Sequence, residues 1–185
     1  MELELTAKDR DDLLALARRT IESKVHHHTY EQPNPDDFSD NVRSRCGAYV
    51  TLHENGRLRG CIGHLSGDYP LYKMVEEMAI SAALHDPRFY PVTPNELPML
   101  DIEISVLSPL HKISDISEIV LGKHGILIQQ GHNSGVYLPQ VATETGWTLD
   151  EYLGHCSHDK AGLPWDGYKM ADIYTFTAEI FAEKR

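Results

Sequence analysis

The sequence predicts an α+β protein with a mostly antiparallel sheet. Three observations carry this. Strand-like stretches stand early and late in the chain, long helical excursions lie between them, and two of the strand pairs read as hairpins, which only antiparallel pairing allows. At 185 residues the chain is one ordinary domain or two small lobes sharing a core.

The first element is a helix. Thr6 is a good N-cap, with Asp9 three positions on, close to a capping box. Leu13, Leu14, Ala17 and Ile21 then share one face, and the helix is expected to end between Lys24 and His26. His26 to Asn41 reads as a loop on its Pro, Asn and Asp content. The run His26-His27-His28 invites a metal reading. Side chains adjacent in sequence splay apart, so a solvated loop is preferred.

"CGAYVTLHENGRLRGCIGHL" reads as a β-hairpin, with Glu54-Asn55-Gly56 as a three-residue turn. That turn pairs His53 with Arg57, Leu52 with Leu58, Thr51 with Arg59, Val50 with Gly60 and Tyr49 with Cys61. It gathers Ala48, Val50, Leu52, Leu58 and Ile62 on the core face. Arg59 and Cys61 then point the other way, beside Thr51 and Tyr49. Gly60 and Gly63 flank the cysteine, and glycine inside a strand marks a close approach by something else, a helix or a ligand.

A second helix is expected from about Asp68 to Leu84, with Pro70 in its first turn and Leu71, Val75, Met78, Ala79 and Ala82 as its apolar stripe. It stops at "HDPRF", because Pro87 restricts Asp86 to extended conformations. "LDIEISVLS" alternates as a strand with Ile102, Ile104 and Val106 on one face. "KHGILIQQGHNSGVYLPQ" is a second, looser hairpin. "QVATETGWTLDEYLGHC" supplies short helices, one capped by Thr148 with Glu151 at its third position. "IYTFTAEIFAE" is a final strand rich in aromatic and β-branched residues.

Composition excludes several classes. The chain is 41% hydrophobic and 24% charged, the balance of a soluble globular protein. No apolar run approaches the ~20 residues of a membrane helix, and the acidic N-terminus has no signal-peptide pattern. A cytoplasmic protein is expected. A net charge of -11 argues against nucleic-acid binding, which rests on Lys and Arg neutralising phosphates. Cys46, Cys61 and Cys156 form no C-x-x-C pair and do not read as a disulfide framework or a zinc site.

Four stretches carry the candidate chemistry. Cys61 is a nucleophile or ligand-contacting thiol, with Arg59 on its face favouring the thiolate; the competing reading is a small core residue. "HDPRF" sets an acid–base candidate, His85, beside a carboxylate, Asp86, and a guanidinium, Arg88, in a loop of the kind that binds ligands. The competing reading has Asp86 capping local amides and Arg88 pairing with an acid. "GKHG" places Lys123 and His124 between glycines. A phosphate cradle is one reading; without P-loop spacing, a tight turn before a strand is the other. In "HCSHDKAGLP", His155, Cys156, His158 and Asp159 tempt a metal assignment, but no regular period puts all of them on one side. Asp101 and Glu103 share a strand face and read as solvated. No convincing metal ligand set and no cofactor emerge.

Taken in order, "LRGCIG", "AISAALHDPRF", "LDIEISVLSP", "GKHGI", "LPQVA", "GW" and "KAGLP" resemble the AMMECR domain family from about Arg45 to the C-terminus. The resemblance implies an α+β protein of two unequal lobes, each a mostly antiparallel sheet with helices packed on it, and a groove between them. The larger lobe would take about residues 1–111 plus 166–185, and the smaller about 112–165. The resemblance implies that the hexapeptide Leu58–Gly63 is the functional element. In bacteria and archaea such chains look like the A component of the AmmeMemoRadiSam system, which implies a Memo-like protein and a radical S-adenosylmethionine enzyme as partners. No particular reaction is implied. Cys46 stands before Gly47-Ala48-Tyr49 where the family is less definite.

Two expectations follow. In the first, the groove acts on or binds a small or anionic substrate. Cys61 is nucleophile or covalent carrier, His85 or His124 the base, and Arg59, Gly60, Gly63, Asp86, Arg88 and Lys123 hold the substrate. In the second, the chain is a non-catalytic adaptor or regulatory module. Gly60 and Gly63 then serve close packing, and Cys61 is inert.

Overall fold

The computed structural model describes residues 3–184. Residues up to Leu107 together with those from Glu179 onward form one compact unit, and Ser108–Ala178 form the other.

The larger unit begins with α1 (Ala7–Val25), and its capping box is formed: the Thr6 hydroxyl accepts the Asp9 N–H at 3.1 Å, and the Asp9 carboxylate accepts the Thr6 N–H at 2.9 Å. A short α2 (Asp40–Arg43) starts at the end of the expected loop and runs past it. β1 (Gly47–Glu54) and β2 (Arg57–His64) form the hairpin, α3 (Leu71–Leu84) follows, and β3 (Leu100–Leu107) pairs antiparallel with β1. Val50, Leu52, Ile102 and Ile104 from the sheet meet Leu71, Val75 and Ala79 of α3 and Leu13 and Ile21 of α1 in one apolar core. Each large side chain buried there contributes roughly 1.5–3 kcal/mol.

The hairpin corrects the expected register. Glu54 pairs with Arg57, leaving a two-residue turn, Asn55-Gly56, with φ of 52° and 79°. Two positive φ angles are what a type I′ turn demands, and Asn-Gly meets that demand. His53 pairs with Leu58, but Leu52 pairs with Gly60, so Arg59 is the extra residue of a β-bulge. The bulge lets Gly60 and Ile62 keep the core side, as expected. It puts Leu58 outside, 42% exposed, against expectation.

The smaller unit holds β4 (His111–Lys112), β5 (Gly125–Gln130), β6 (Asn133–Tyr137) and β7 (Asp172–Phe176) in the order β4-β7-β5-β6. α4 (Pro139–Thr145) ends at Gly146, whose φ of 68° closes it in the left-handed form. α5 (Leu149–His155) is capped by Thr148 and runs into a π-helical stretch, Cys156–Lys160. Ile126, Ile128, Tyr152, Leu153 and Cys156 fill the second core.

The expected single last strand is two. After β7 the chain passes Thr177 and resumes as β8 (Ala178–Ala182), which joins the first sheet in the order β2-β1-β3-β8. Ser108 Oγ accepts the Thr177 N–H at 2.8 Å, and the Ser108 N–H donates to the Thr177 carbonyl at 2.9 Å, where the ladder changes. Alternation of side chains reports a strand, not its sheet, so this division was invisible to periodicity. Among the described residues no helix is long and apolar enough to cross a membrane.

Candidate functional site

The site is built on β2, the outer strand of the first sheet. Its two glycines are explained by the protein's own packing. A Cβ on Gly60 would lie 2.2 Å from the Ala82 carbonyl oxygen, so α3 crosses β2 backbone to backbone there. A Cβ on Gly63 would lie 2.1 Å from the ring of Tyr49, its cross-strand partner. Either side chain would force these elements apart.

Cys61 is partly exposed and points to the side of the sheet away from the core. The register sets Thr51 directly opposite Cys61, and Glu103 directly opposite Thr51 on β3. Cys61, Thr51 and Glu103 thus make one row across three strands, with near neighbours about 5 Å apart. Cys61 Sγ lies 3.2 Å from Thr51 Oγ1, a sulfur–hydroxyl hydrogen bond. The sequence put Thr51 on the face of Cys61 but opposite Arg59; the bulge moves Thr51 directly opposite Cys61, and only the β1–β3 pairing adds Glu103.

Asp86 and Arg88 hold the backbone of Cys61. The Cys61 N–H donates to Asp86 Oδ2 at 3.0 Å, and Arg88 Nη2 donates to the Cys61 carbonyl at 3.3 Å. Asp86 Oδ1 accepts the Arg88 backbone N–H at 3.1 Å and Nε at 3.0 Å, while Oδ2 takes Nη2 at 2.8 Å. Arg88's hydrogen bonds, against the cost of burial and with help from the Cys61 N–H, hold the Asp86 carboxyl far below its usual range. The Asp86 side chain is 2% exposed, so it faces the protein; Arg88, 54% exposed, keeps donors for solvent or a ligand. Both the capping and the pairing readings of "HDPRF" are therefore present in one motif.

Arg59 is engaged elsewhere. Its Nε meets Glu96 Oε1 at 2.7 Å, and its Nη2 donates to the Tyr90 carbonyl at 2.8 Å. Burial works against the Glu96 anion, but the bonds from Arg59 and Thr93 prevail and hold its carboxyl below the usual range. Arg59 and Arg88 both lie over the Phe89 ring, at 5.8 and 5.4 Å from its centroid. His85 caps the C-terminus of α3, and no side-chain hydrogen bond joins it to Cys61 among the described residues.

Lys123 and His124 belong to the smaller unit. "GKHG" is a tight turn leading into β5: the Lys123 and His124 N–H groups both donate to the Val120 carbonyl, and Gly122 has φ of 85°. His124 Nδ1 accepts the Val120 N–H at 3.0 Å. Burial, then the charges of Lys123 and His111, lower the pKa of His124. Cys46 and Cys156 are buried in their cores; burial raises both thiols, Cys156 up to about 12. No group of three or more His, Cys, Asp or Glu among the described residues is arranged to hold a metal ion.

The AMMECR1 family model matches residues 14–181, nearly all of the folded chain and both units. The chain belongs to the AMMECR1 family. Archaeal relatives match over most of its length. Protein TK0174 of Thermococcus kodakarensis is 41% identical over 184 residues, covering 93% of this chain and 89% of its own. A protein of Methanothermobacter thermautotrophicus is 41% identical over 182 residues, covering 92% of each. The crystal structure of the uncharacterised protein PH0010 from Pyrococcus horikoshii superposes with a TM-score of 0.89 at 36% identity, covering 97% of this chain and 94% of that one. The AMMECR1 fold is thus the fold of this chain, and "LRGCIG" occupies its outer strand β2.

Proposed function

We propose that this AMMECR1-family chain is the A component of an AmmeMemoRadiSam system, and that its working surface is centred on Cys61, where it binds or acts on a small or anionic substrate. One observation supports this above the others. Cys61 keeps its thiol partly exposed while its backbone N–H and C=O are both tied down by the Asp86–Arg88 pair. A thiol held this way is oriented in advance of any ligand, and a half-exposed guanidinium stands beside it to meet negative charge. In this reading Arg88 is the anion contact, Asp86 positions Cys61 and Arg88, and Thr51 and Glu103 are the nearest polar neighbours across the sheet. His85, next to Asp86 at the end of α3, serves as base.

A second reading is favoured by the glycines. Their Cβ positions are filled by Ala82 and Tyr49, so close packing alone explains them. The chain is then an adaptor that binds a Memo-like or radical S-adenosylmethionine partner, with Cys61 inert.

Cys61→Ser separates the two. It should fold, retain partner binding in a co-purification with the Memo-like and radical S-adenosylmethionine proteins, and fail to complement a host lacking the chain. Full complementation overturns the thiol-centred reading. Loss of partner binding in a folded variant supports the adaptor.

A further inference from the structure

The smaller unit carries a second cluster, between His155 and Trp165, that the Cys61 surface does not use. α5 does not end in an ordinary cap. It continues into the π-helical stretch Cys156–Lys160, closed by the Ala161 N–H on the Cys156 carbonyl at 3.0 Å. Such turns are rare and concentrate at functional sites. At this turn a single carboxylate meets two imidazoles: His155 Nδ1 is 2.8 Å from Asp159 Oδ2, and His158 Nδ1 is 2.8 Å from Asp159 Oδ1. An ionised carboxylate only accepts, so each Nδ1 carries the proton and Nε2 is the free nitrogen of the neutral ring.

The two imidazoles are not equivalent. His158 is 66% exposed and has no ring against it among the described residues. His155 is 29% exposed and lies between two indoles. It stacks on Trp147 at 4.0 Å between centroids and 13° between planes, and meets Trp165 edge-on at 4.7 Å and 73°. These are the chain's two tryptophans. Gly154 makes the second contact, since a Cβ there would lie 2.1 Å from the Trp165 ring. Trp165 still keeps 45% of its surface exposed.

We infer that this cluster is a second ligand site: a planar aromatic molecule lies on the exposed indole of Trp165 and hydrogen-bonds to Nε2 of His155, which Asp159 holds in one tautomer for proton exchange with the ligand. A carboxylate on Nδ1 orients the ring and fixes its tautomer, so that Nε2 is the nitrogen offered to a ligand, the arrangement that makes an imidazole an acid–base group. An indole face supplies stacking that accepts any planar ring. The two contacts with tryptophan remove the rotational freedom of the imidazole before a ligand arrives.

The test uses the full chain and two readouts. Diethyl pyrocarbonate modifies the free nitrogen of a neutral imidazole, and mass spectrometry resolves each histidine. At neutral pH His155 should react several times faster than His111, although His111 is 73% exposed. Asp159→Asn should slow His155 by about tenfold, the scale on which a carboxylate acts through its imidazole, with an unchanged melting curve. Adenosine should quench tryptophan fluorescence saturably and protect His155, while ribose does neither. A His155 rate at or below that of His111, a rate untouched by Asp159→Asn, or adenosine behaving as ribose does would overturn the proposal.

Discussion

Gly60→Ala is the sharpest test of how "LRGCIG" is used. The added Cβ would stand 2.2 Å from the Ala82 carbonyl oxygen, whereas ordinary contacts begin at 3.4 Å. The obstacle is the backbone of α3, whose Leu71, Val75 and Ala79 are fully buried, so no flexible side chain can swing aside. The helix or the strand must move by more than an ångström. Overpacking of this kind costs about 1–3 kcal/mol, and rigid obstacles lie at the upper end. Relief of glycine's strand penalty returns about 0.5–1 kcal/mol. A net loss of about 2 kcal/mol is expected, or roughly 4–8 °C in melting temperature for a chain of this size. Thermal unfolding followed by circular dichroism, with urea titration alongside, reads it directly. Gly56→Ala is the control: nothing lies within 4 Å, but φ is 79°, so its cost of about 1–2 kcal/mol comes from the turn alone. If Gly60→Ala melts with the parent, α3 is not pressed onto β2 and the packing account of this glycine fails.

Two further outcomes are expected. In the native protein at neutral pH, iodoacetamide should label Cys61 first; Cys156, fully buried with its thiol pushed up to about 12, should label only on unfolding. Labelling of Cys156 at the rate of Cys61 would contradict the burial described. Asp86 has a folded pKa depressed below its ordinary 3.8. Its contribution to stability is therefore present above the unfolded value and is lost as pH falls through 3.8 toward the folded value. Asp86→Asn should be less stable than the parent at pH about 6, and the gap should narrow at pH about 3. A gap that widens on acidification would reverse the sign of this linkage.

What could be read from the sequence was local. Thr6 and Asp9 announce α1 because a capping box closes within four residues, and Pro87 ends α3 because proline acts on its immediate neighbours; Pro70, expected in the first turn of a helix from Asp68, is instead the N-cap, and α3 starts at Leu71. The hairpin was legible as a hairpin, but its register was not. Leu52 and Leu58 argued for a three-residue loop by hydrophobic matching, while Asn55-Gly56 already carried the type I′ signal. The bulge at Arg59 reconciles that turn with a core face of Gly60 and Ile62, and a bulge leaves no period to detect. The same limit hid the direct pairing of Cys61 with Thr51 and, beyond it, Glu103. Asp86 was visible as a local capping residue, yet its hold on Cys61 spans 25 positions and follows from the way α3 returns to β2. Asp159 stands four residues after His155, a spacing that any helical turn brings together, so that contact was open to the sequence; its second bond, to the adjacent His158, has no helical period to announce it.

The clamp on Cys61 also protects the molecule from itself. β2 is an outer strand, and an N–H and C=O presented at a sheet's rim are a template for another chain. At Cys61 an Asp carboxylate and an Arg guanidinium already fill those two positions, imitating the acceptor and donor of a neighbouring strand. A variant that opens the clamp therefore exposes a sticky rim as well as disturbing the thiol. Lost activity in such a variant has to be weighed beside its state of association, since self-pairing at this edge would silence the protein without touching its chemistry.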